Sequence, residues 1–425
     1  MSSNGLKLNN MDMQAKSAFL LLDGDTLALP NNQTFRVTYK TPLPLKPESL
    51  KGLSSNDVPP DTAAISSGRY LVSSAELGNG TFGSVHLAVD VMKGRQVACK
   101  IISLKGNGSA SDIKKSEKYA AVKREVEILK SLHHPNINKI LEVSETHCRT
   151  KICVLLSLST GGDLFSHLVR RTRLNEMEAK FFLLQIFYGI KYLHDNGVVH
   201  RDMKPENILL LTPPPYPRLQ IADFGLARVF PRDKKEKDNK RALTVLGTVD
   251  YIAPEVAELM HLGQERMKTS AEQTAMAGDT WAIGCIGYQM FTGLQPFYPY
   301  DYMEQQAAQD RNEEAPPSEA FDVPPAPESI CDDYGIPLPP VSGPPRTPAE
   351  ESRDDLVRKN IMECRPDMSS SVWVSVPKAK TMIEGLLEKN HYLRWTAKRA
   401  LDSSWMTVHR KEMDEMYQRT LNVDD

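Results

Sequence analysis

The 425-residue sequence has little of what would direct a chain to a membrane, a secretory route or a zinc-held fold. No run of about 18 apolar residues occurs, so no membrane span is expected. Met1 to Leu20 has no basic stretch followed by an apolar core, so a secretory leader is not expected. Net charge is nearly absent. The 52 Lys and Arg against 54 Asp and Glu leave a formal −2, which supplies no broad field for nucleic acid or lipid. Cysteine is scarce, and none of Cys99, Cys148, Cys153, Cys285, Cys331 and Cys364 forms a Cys-x-x-Cys pair, which argues against a zinc site. Their scatter through apolar segments suits reduced thiols in a cytosolic or nuclear protein. No internal repeat is visible. Apolar residues make up 40%, enough for a sizeable core, and the length allows two or three domains.

Against that plain background one stretch stands out: His200-Arg201-Asp202-Met203-Lys204-Pro205-Glu206-Asn207, with Asp223-Phe224-Gly225 beginning 16 residues after Asn207. Two carboxylates, an amide and a lysine at these spacings suit metal-assisted phosphoryl transfer. One acid can orient a hydroxyl nucleophile, the amide and the second acid can hold a divalent metal, and the lysine can steady the migrating group. Upstream, Glu76-Leu77-Gly78-Asn79-Gly80-Thr81-Phe82-Gly83-Ser84-Val85 follows the strand-like Tyr70-Leu71-Val72. Its glycines let backbone N–H groups approach phosphates. Such a loop alone also fits a dinucleotide-binding turn. However, Val85 to Val89 continues as an alternating strand instead of opening a helix, and a second strand, Gln96 to Ile102, carries Lys100.

These motifs resemble the eukaryotic protein kinases, and the resemblance covers Gly68 to about Val408. It implies an α+β, bilobal fold with a small β-rich lobe and a larger helical one. It implies ATP and Mg2+ as cofactors and protein substrates with Ser or Thr acceptors. Asp202 would be the base, Lys204 would stabilise the γ-phosphoryl group, and Asn207 and Asp223 would bind the metal. Leu77 to Val85 would cover the phosphates, and Val85 and Ala98 would sandwich the adenine. Lys100 would pair the α- and β-phosphates and be fixed by Glu125 on a helix spanning Ala121 to Leu132. Leu156 would be the gatekeeper, Ser157, Leu158 and Ser159 the hinge, and Leu209 the floor beneath the adenine. Met203-Lys204-Pro205-Glu206 looks like the Ser/Thr type, not the tyrosine type.

Regulation and specificity follow from the same resemblance. Arg201 beside Asp202 marks kinases controlled by phosphorylation of the activation loop, where the new phosphate pairs the arginine. Thr244 is the expected phosphosite, with self-association as a route to modification in trans. Thr248 would bond Asp202 and Lys204. A basic run, Arg232 to Arg241, lies within this loop. Asp163, counted also among the nucleotide-binding residues, and Glu206 sit where related kinases read an arginine upstream of the acceptor. Two acids can match one guanidinium. Glu255 and Arg394 would form a buried ion pair, and Asp279 would support the catalytic-loop backbone.

The helix after Asn175-x-x-Glu178, a capping-box pattern, has Ala179, Phe182, Leu183, Ile186, Ile190 and Leu193 at helical spacing, which predicts a core helix. Residues 301–353 are crowded with proline and acid and read as an extended insertion. Residues 41–67 read as a linker and 409–425 as a tail. No basic amphipathic helix follows Trp405, so calcium control is not expected. The N-terminal 40 residues predict strands at Ala18 to Leu22, Thr26 to Leu29 and Thr34 to Val37 around turns at Asp23-Gly24-Asp25 and Pro30-Asn31-Asn32. This pattern resembles the last strands of a forkhead-associated domain without its phosphate-reading loops. Together with the length of the insert before Glu125 and the place of Thr244, it points toward the effector kinases of DNA-damage checkpoints. Two alternatives stay open at this point: a catalytically inactive scaffold on the same fold, and a phosphothreonine-binding adaptor.

Overall fold

The structure, a computed structural model, describes residues 6–8, 11–13, 26–29, 33–36, 64–65, 69–80, 83–93, 95–103, 126, 128, 130–145, 151–211, 216–230, 248–261, 271–300 and 352–421. Thr81, Phe82, Glu125, Thr244, the basic run 232–241, the linker save its last strand residues, and the insertion through residue 351 lie outside the described residues, as does the side chain of Asn79. The chain divides into two compact units. One comprises Met1–Leu164, Lys180–Asn239 and Met406–Asp425, and the other Phe165–Ala179 and Lys240–Trp405.

The first unit begins with four three-residue strands, β1 (Leu6–Leu8), β2 (Met11–Met13), β3 (Thr26–Ala28) and β4 (Thr34–Arg36), in the antiparallel order β2-β1-β3-β4. β3 and β4 fall where the turn residues place them. β1 and β2 were not anticipated, and the expected strand at Ala18 to Leu22 lies outside the described residues.

The main sheet has six strands: β5 (Ala64–Ile65), β6 (Tyr70–Gly80), β7 (Gly83–Asp90), β8 (Arg95–Ser103), β9 (Ile140–Glu145) and β10 (Lys151–Ser157), in the order β5-β6-β7-β8-β10-β9. Its alternation divides the work between two faces. Tyr70, Val72, Ala88, Val97, Cys99, Ile101, Cys153 and Leu155 make one apolar cluster. Ile102, Ile152 and Val154 on the other face pack with helical Val126. Register fixes which residues share that second face: Val85 lies opposite Lys100, and Ala98 opposite both Leu87 and Leu156. Val85, Ala98, Lys100 and Leu156 therefore line one surface. The described cysteines Cys99, Cys153, Cys285 and Cys364 are free thiols. Cys153 beside it and burial together push the Cys99 thiol well above its ordinary range, which keeps it protonated and unreactive.

The helix Glu176–Asp195 follows. Ala179, Phe182, Leu183, Ile186, Ile190 and Leu193 are all at most 1% exposed, and Phe181, Leu184, Gln185 and Phe187 are equally buried, so the helix is enclosed on nearly every side. The capping box is half formed. Asn175 Oδ1 accepts from the Glu178 N–H at 2.9 Å, but the Glu178 carboxylate turns inward to His167 Nε2 at 2.9 Å and Arg171 at 3.4 Å. Burying a carboxylate demands paired partners, and these two outcompete the backbone N–H of the cap. Beyond the helix, β11 (Val198–Val199) pairs with β14 (Arg228–Val229), and β12 (Ile208–Leu210) with β13 (Leu219–Ile221). A last helix, Arg410–Leu421, buries Met413 and Tyr417.

The second unit is helical among its described residues. The helix Ala271–Thr292 is its centre, with Trp281, Ile283, Cys285, Ile286, Met290 and Phe291 at 1% exposure or less. Helices Pro254–His261, Arg353–Glu363 and Pro377–Leu386 pack with it or with each other. Arg353–Glu363 opens with a complete capping box, Ser352 and Asp355 each accepting from the other's N–H.

Candidate active site

β12 and β13 form a hairpin that begins just after Asn207 and ends two residues before Asp223. The hairpin thus brings two segments 16 residues apart in sequence side by side, and the Ala222 N–H donates to Asn207 O at 2.9 Å. Asn207 Nδ2 donates to Asp202 O at 2.7 Å and to Asp202 Oδ2 at 3.1 Å. Lys204 Nζ lies 3.1 Å from the same Oδ2. Lys100, 6% exposed at the middle of β8, reaches Asp223 Oδ1 at 3.1 Å. Two bonded groups, Asp202 with Lys204 and Asn207 and Lys100 with Asp223, are thus joined through the backbone bond between Ala222 and Asn207.

The backbone is held under tension at two points, one in these groups and one beside them. Arg201 has φ 70° and Asp223 φ 57°, a left-handed conformation that costs a non-glycine residue on the order of 1–3 kcal/mol and persists where surroundings over-determine it. His200 supplies part of that determination. Its Nδ1 accepts from the Asp202 N–H at 3.3 Å, and its Nε2 lies 2.9 Å from Ala222 O. One neutral tautomer, protonated at Nε2, satisfies both contacts. The His200 ring meets Phe224 edge-on at 4.9 Å. His200 thus clamps the segments carrying Asp202 and Asp223, a positioning role for a residue only 0% exposed.

The glycine-rich hairpin closes with Gly80 opposite Gly83. Gly83 is dictated by packing, because a Cβ there would stand 2.1 Å from Ile101 O of β8. A Cβ at Gly78 would meet no atom within 4 Å, so the protein's own packing does not require glycine there. At the hinge, the Ser157 N–H is committed to Lys139 O at 3.2 Å and its hydroxyl sits between Asn138 Oδ1 and Gln220 Oε1. Asp163 bridges to Leu209 as an antiparallel pair, so the far end of the hinge is anchored on β12.

The donor set suits a hard cation. Asp223 offers carboxylate oxygen. Asn207, whose Nδ2 is turned to Asp202, keeps its amide oxygen as the remaining donor atom. No group of three or more His, Cys, Asp or Glu ligands occurs among the described residues. Mg2+ needs none, since it takes one or two protein oxygens and completes its octahedron with phosphates and water. Glu206 is exposed, yet its carboxyl is pushed above the usual carboxylate range, first by lost hydration and then by Asp163 and Asp202, with Lys204 opposing.

In the second unit Arg394 Nη1 and Nη2 grip Glu255 Oε1 and Oε2 at 2.8 Å each. Arg394 also donates to the carbonyls of Glu388, Ala277 and Lys389 and lies over the Trp281 ring. Asp279, 1% exposed, is held on the helix Ala271–Thr292, and Thr248 leads into the turn Val249–Tyr251.

A strand–loop–lysine face, a hydrogen-bonded acid–lysine–amide loop and a second acid just past the hairpin that follows it together define an enzyme of phosphoryl transfer. Residues 71–406 match the protein kinase domain, and the chain belongs to the protein kinase family, whose α+β fold it has. Such a domain implies ATP and a divalent metal. The chain is similar to the meiosis-specific serine/threonine-protein kinase mek1 of Schizosaccharomyces pombe, at 28% identity over 98% of this chain and 74% of that protein. It is similar to calcium/calmodulin-dependent protein kinase type 1 of Macrobrachium nipponense, at 33% identity over 60% of this chain and 65% of that one. It also matches the human type IV enzyme, at 39% identity over 44% of this chain and 35% of that one. This chain thus spans less than two thirds of both calmodulin-dependent relatives.

Sequence reasoning overlooked Asn136, Gln185 and Tyr417, which lie buried behind the hairpin. For Asn136 the signal was the run His133-His134-Pro135-Asn136 at a helix end. Tyr417, four residues after Met413, shows the helical spacing of a buried face.

Proposed function

We propose that the chain transfers the γ-phosphate of ATP to serine and threonine hydroxyls of protein substrates. The observation that carries this reading is the pair of bonded groups, Asp202 with Lys204 and Asn207 and Lys100 with Asp223, joined at the backbone of Ala222 and Asn207. Asp202 orients the acceptor hydroxyl, and Lys204 beside it offsets charge on the transferred group. Asn207 and Asp223 hold Mg2+, whose charge lets a nucleophile approach the phosphates. Lys100 fixes the α- and β-phosphates, while Val85, Ala98, Leu156 and Leu209 enclose the base. The Ser/Thr class rests on Lys204 and on the serine/threonine kinase named among the relatives.

Substrates carry arginine upstream of the acceptor. The raised carboxyl of Glu206, crowded by Asp163 and Asp202, gains from an incoming guanidinium that restores its charge partner. Activity depends on phosphorylation of Thr244. The setting is checkpoint signalling in nucleus or cytoplasm, and similarity to a meiosis-specific kinase along 98% of the chain favours meiosis within it.

The test is radiolabel transfer from ATP to positional peptide libraries, before and after phosphatase treatment. We expect Mg2+-dependent labelling of Ser and Thr peptides, selection for arginine three residues before the acceptor, and loss of activity on dephosphorylation or in Thr244→Ala. No labelling sinks the enzyme reading. Labelling without basic selection sinks the roles of Asp163 and Glu206, and a fully active Thr244→Ala sinks the activation step.

A further inference from the structure

Asn136 is 1% exposed and holds β13 from its flank. Its Nδ2 donates to Leu219 O at 2.9 Å and to Gln185 Oε1 at 3.2 Å. Its carbonyl accepts from the Ile221 N–H at 2.8 Å, and the Asn138 N–H donates back to Ile221 O at 2.9 Å. Both ends of β13 are thereby fixed through one residue. That strand ends two residues before Asp223, and its partner β12 starts directly after Asn207. With Nδ2 turned to β13 and Gln185, Asn136 Oδ1 faces the helix Arg410–Leu421 and accepts from the Tyr417 hydroxyl at 2.7 Å. Burial raises the Tyr417 phenol to about 12, so the hydroxyl stays protonated as a donor. The helix is docked a second time where Tyr188 OH meets Asp414 Oδ1 at 2.8 Å and Arg410 Nη2 at 2.7 Å. This helix lies beyond residues 71–406, the span that matches the kinase family.

We propose that Tyr417 is a positioning residue for the metal site: its hydroxyl, acting through Asn136, holds the β12–β13 hairpin in the placement that aims Asn207 and Asp223 at one cation. The proposal rests on the reading of those two residues as the Mg2+ ligands. An addition outside the common kinase span thus completes the bonding behind the catalytic hairpin, and loss of the helix loosens metal binding without touching the site.

The experiment compares the full chain with Tyr417→Phe, Asn136→Ala and the double variant. Tyr417→Phe keeps the ring against Tyr188 and removes one oxygen. Calorimetric titration with Mg2+·ATP is expected to show binding weakened about 5- to 10-fold in Tyr417→Phe, the scale of one lost buried hydrogen bond partly transmitted. Titration with ATP in EDTA is expected to agree between the two proteins within about twofold, and the peptide KM to stay level. Amide exchange at residues 219–224 is expected to quicken. The double variant is expected to bind no worse than Asn136→Ala, because the two groups act in series. Equal Mg2+·ATP affinity in wild type and Tyr417→Phe, with only the melting temperature lowered, overturns the proposal, as does strict additivity in the double variant. A wild-type chain that binds Mg2+·ATP yet transfers no phosphate counts against the proposed function alone, and the Tyr417→Phe comparison is then decided on binding.

Discussion

Asp202→Asn is expected to cut kcat about 10²- to 10⁴-fold, the range for removing a positioned acid–base group, while the protein stays folded. The contacts around the side chain explain why the loss is confined to chemistry. Asp202 Oδ2 receives Asn207 Nδ2 at 3.1 Å and Lys204 Nζ at 3.1 Å. An asparagine that places its amide oxygen there keeps both donors supplied, and the backbone bonds to His200 and Asn207 do not involve the side chain. What disappears is the negative charge that attracts the proton of an incoming hydroxyl. ATP affinity is therefore expected to change by less than about threefold, because the residues proposed to hold the nucleotide lie elsewhere, and kcat and kcat/KM for peptide are expected to fall together. Steady-state kinetics against both substrates, with nucleotide binding measured in parallel, check this. Activity within about threefold of wild type would remove Asp202 from the mechanism and leave the bonded group without its proton acceptor.

That group was legible in the sequence because its spacing is local. Asp202, Lys204 and Asn207 lie within six residues, and a two-strand hairpin returns the chain to Asp223. Lys100 was legible through the resemblance to kinases, and the register of β8 places it on the face shared with Val85, Ala98 and Leu156. Where reading failed, the deciding partner was distant, bore no signature, or lay in an element too short to read. Asn175-x-x-Glu178 has the capping pattern, but nothing local reveals that His167 and Arg171 claim the carboxylate. The β1–β2 hairpin did carry a signal, since Leu6-Lys7-Leu8 and Met11-Asp12-Met13 alternate around Asn9-Asn10. Strands of three residues are simply too short to register as periodicity. Residues 410–421 read as a tail because Met413 and Tyr417 are sparse apolar points in a charged stretch. The Tyr417 hydroxyl bonds Asn136, about 280 residues away, and no local pattern encodes that contact.

The Glu255–Arg394 pair shows the same limit, and yields the largest stability effect. Its two charges are recognisable in sequence, but three of the five acceptors around the guanidinium are backbone carbonyls, of Ala277, Glu388 and Lys389. Five N–H donors in a rigid fork meet five acceptors, and the side chain is 0% exposed against 10% for Glu255. An ammonium has three donors and no fork, so Arg394→Lys leaves at least two buried acceptors unserved and places a more strongly hydrated charge in the same dry space. Removing one partner of such a buried pair costs about 3–5 kcal/mol, and two buried acceptors left unserved at about 1–3 kcal/mol each put Arg394→Lys in the same range. For a unit of this size that corresponds to a fall of roughly 6–20 °C in the midpoint of thermal unfolding. Glu255→Ala is expected to destabilise similarly, since it strands the guanidinium, and Glu255→Gln less, since one acceptor oxygen remains. Every contact of Arg394 named above lies in the unit that runs from Lys240 to Trp405, so the early transition is expected there. Calorimetric scans resolve it, and amide exchange locates it in the helices Pro254–His261 and Ala271–Thr292. An Arg394→Lys midpoint within about 2 °C of wild type would show that the five-fold bonding is not what holds this unit together. The contrast with Asp202→Asn is then diagnostic: one substitution stops the chemistry in a stable protein, and the other destabilises a protein whose catalytic group is chemically complete.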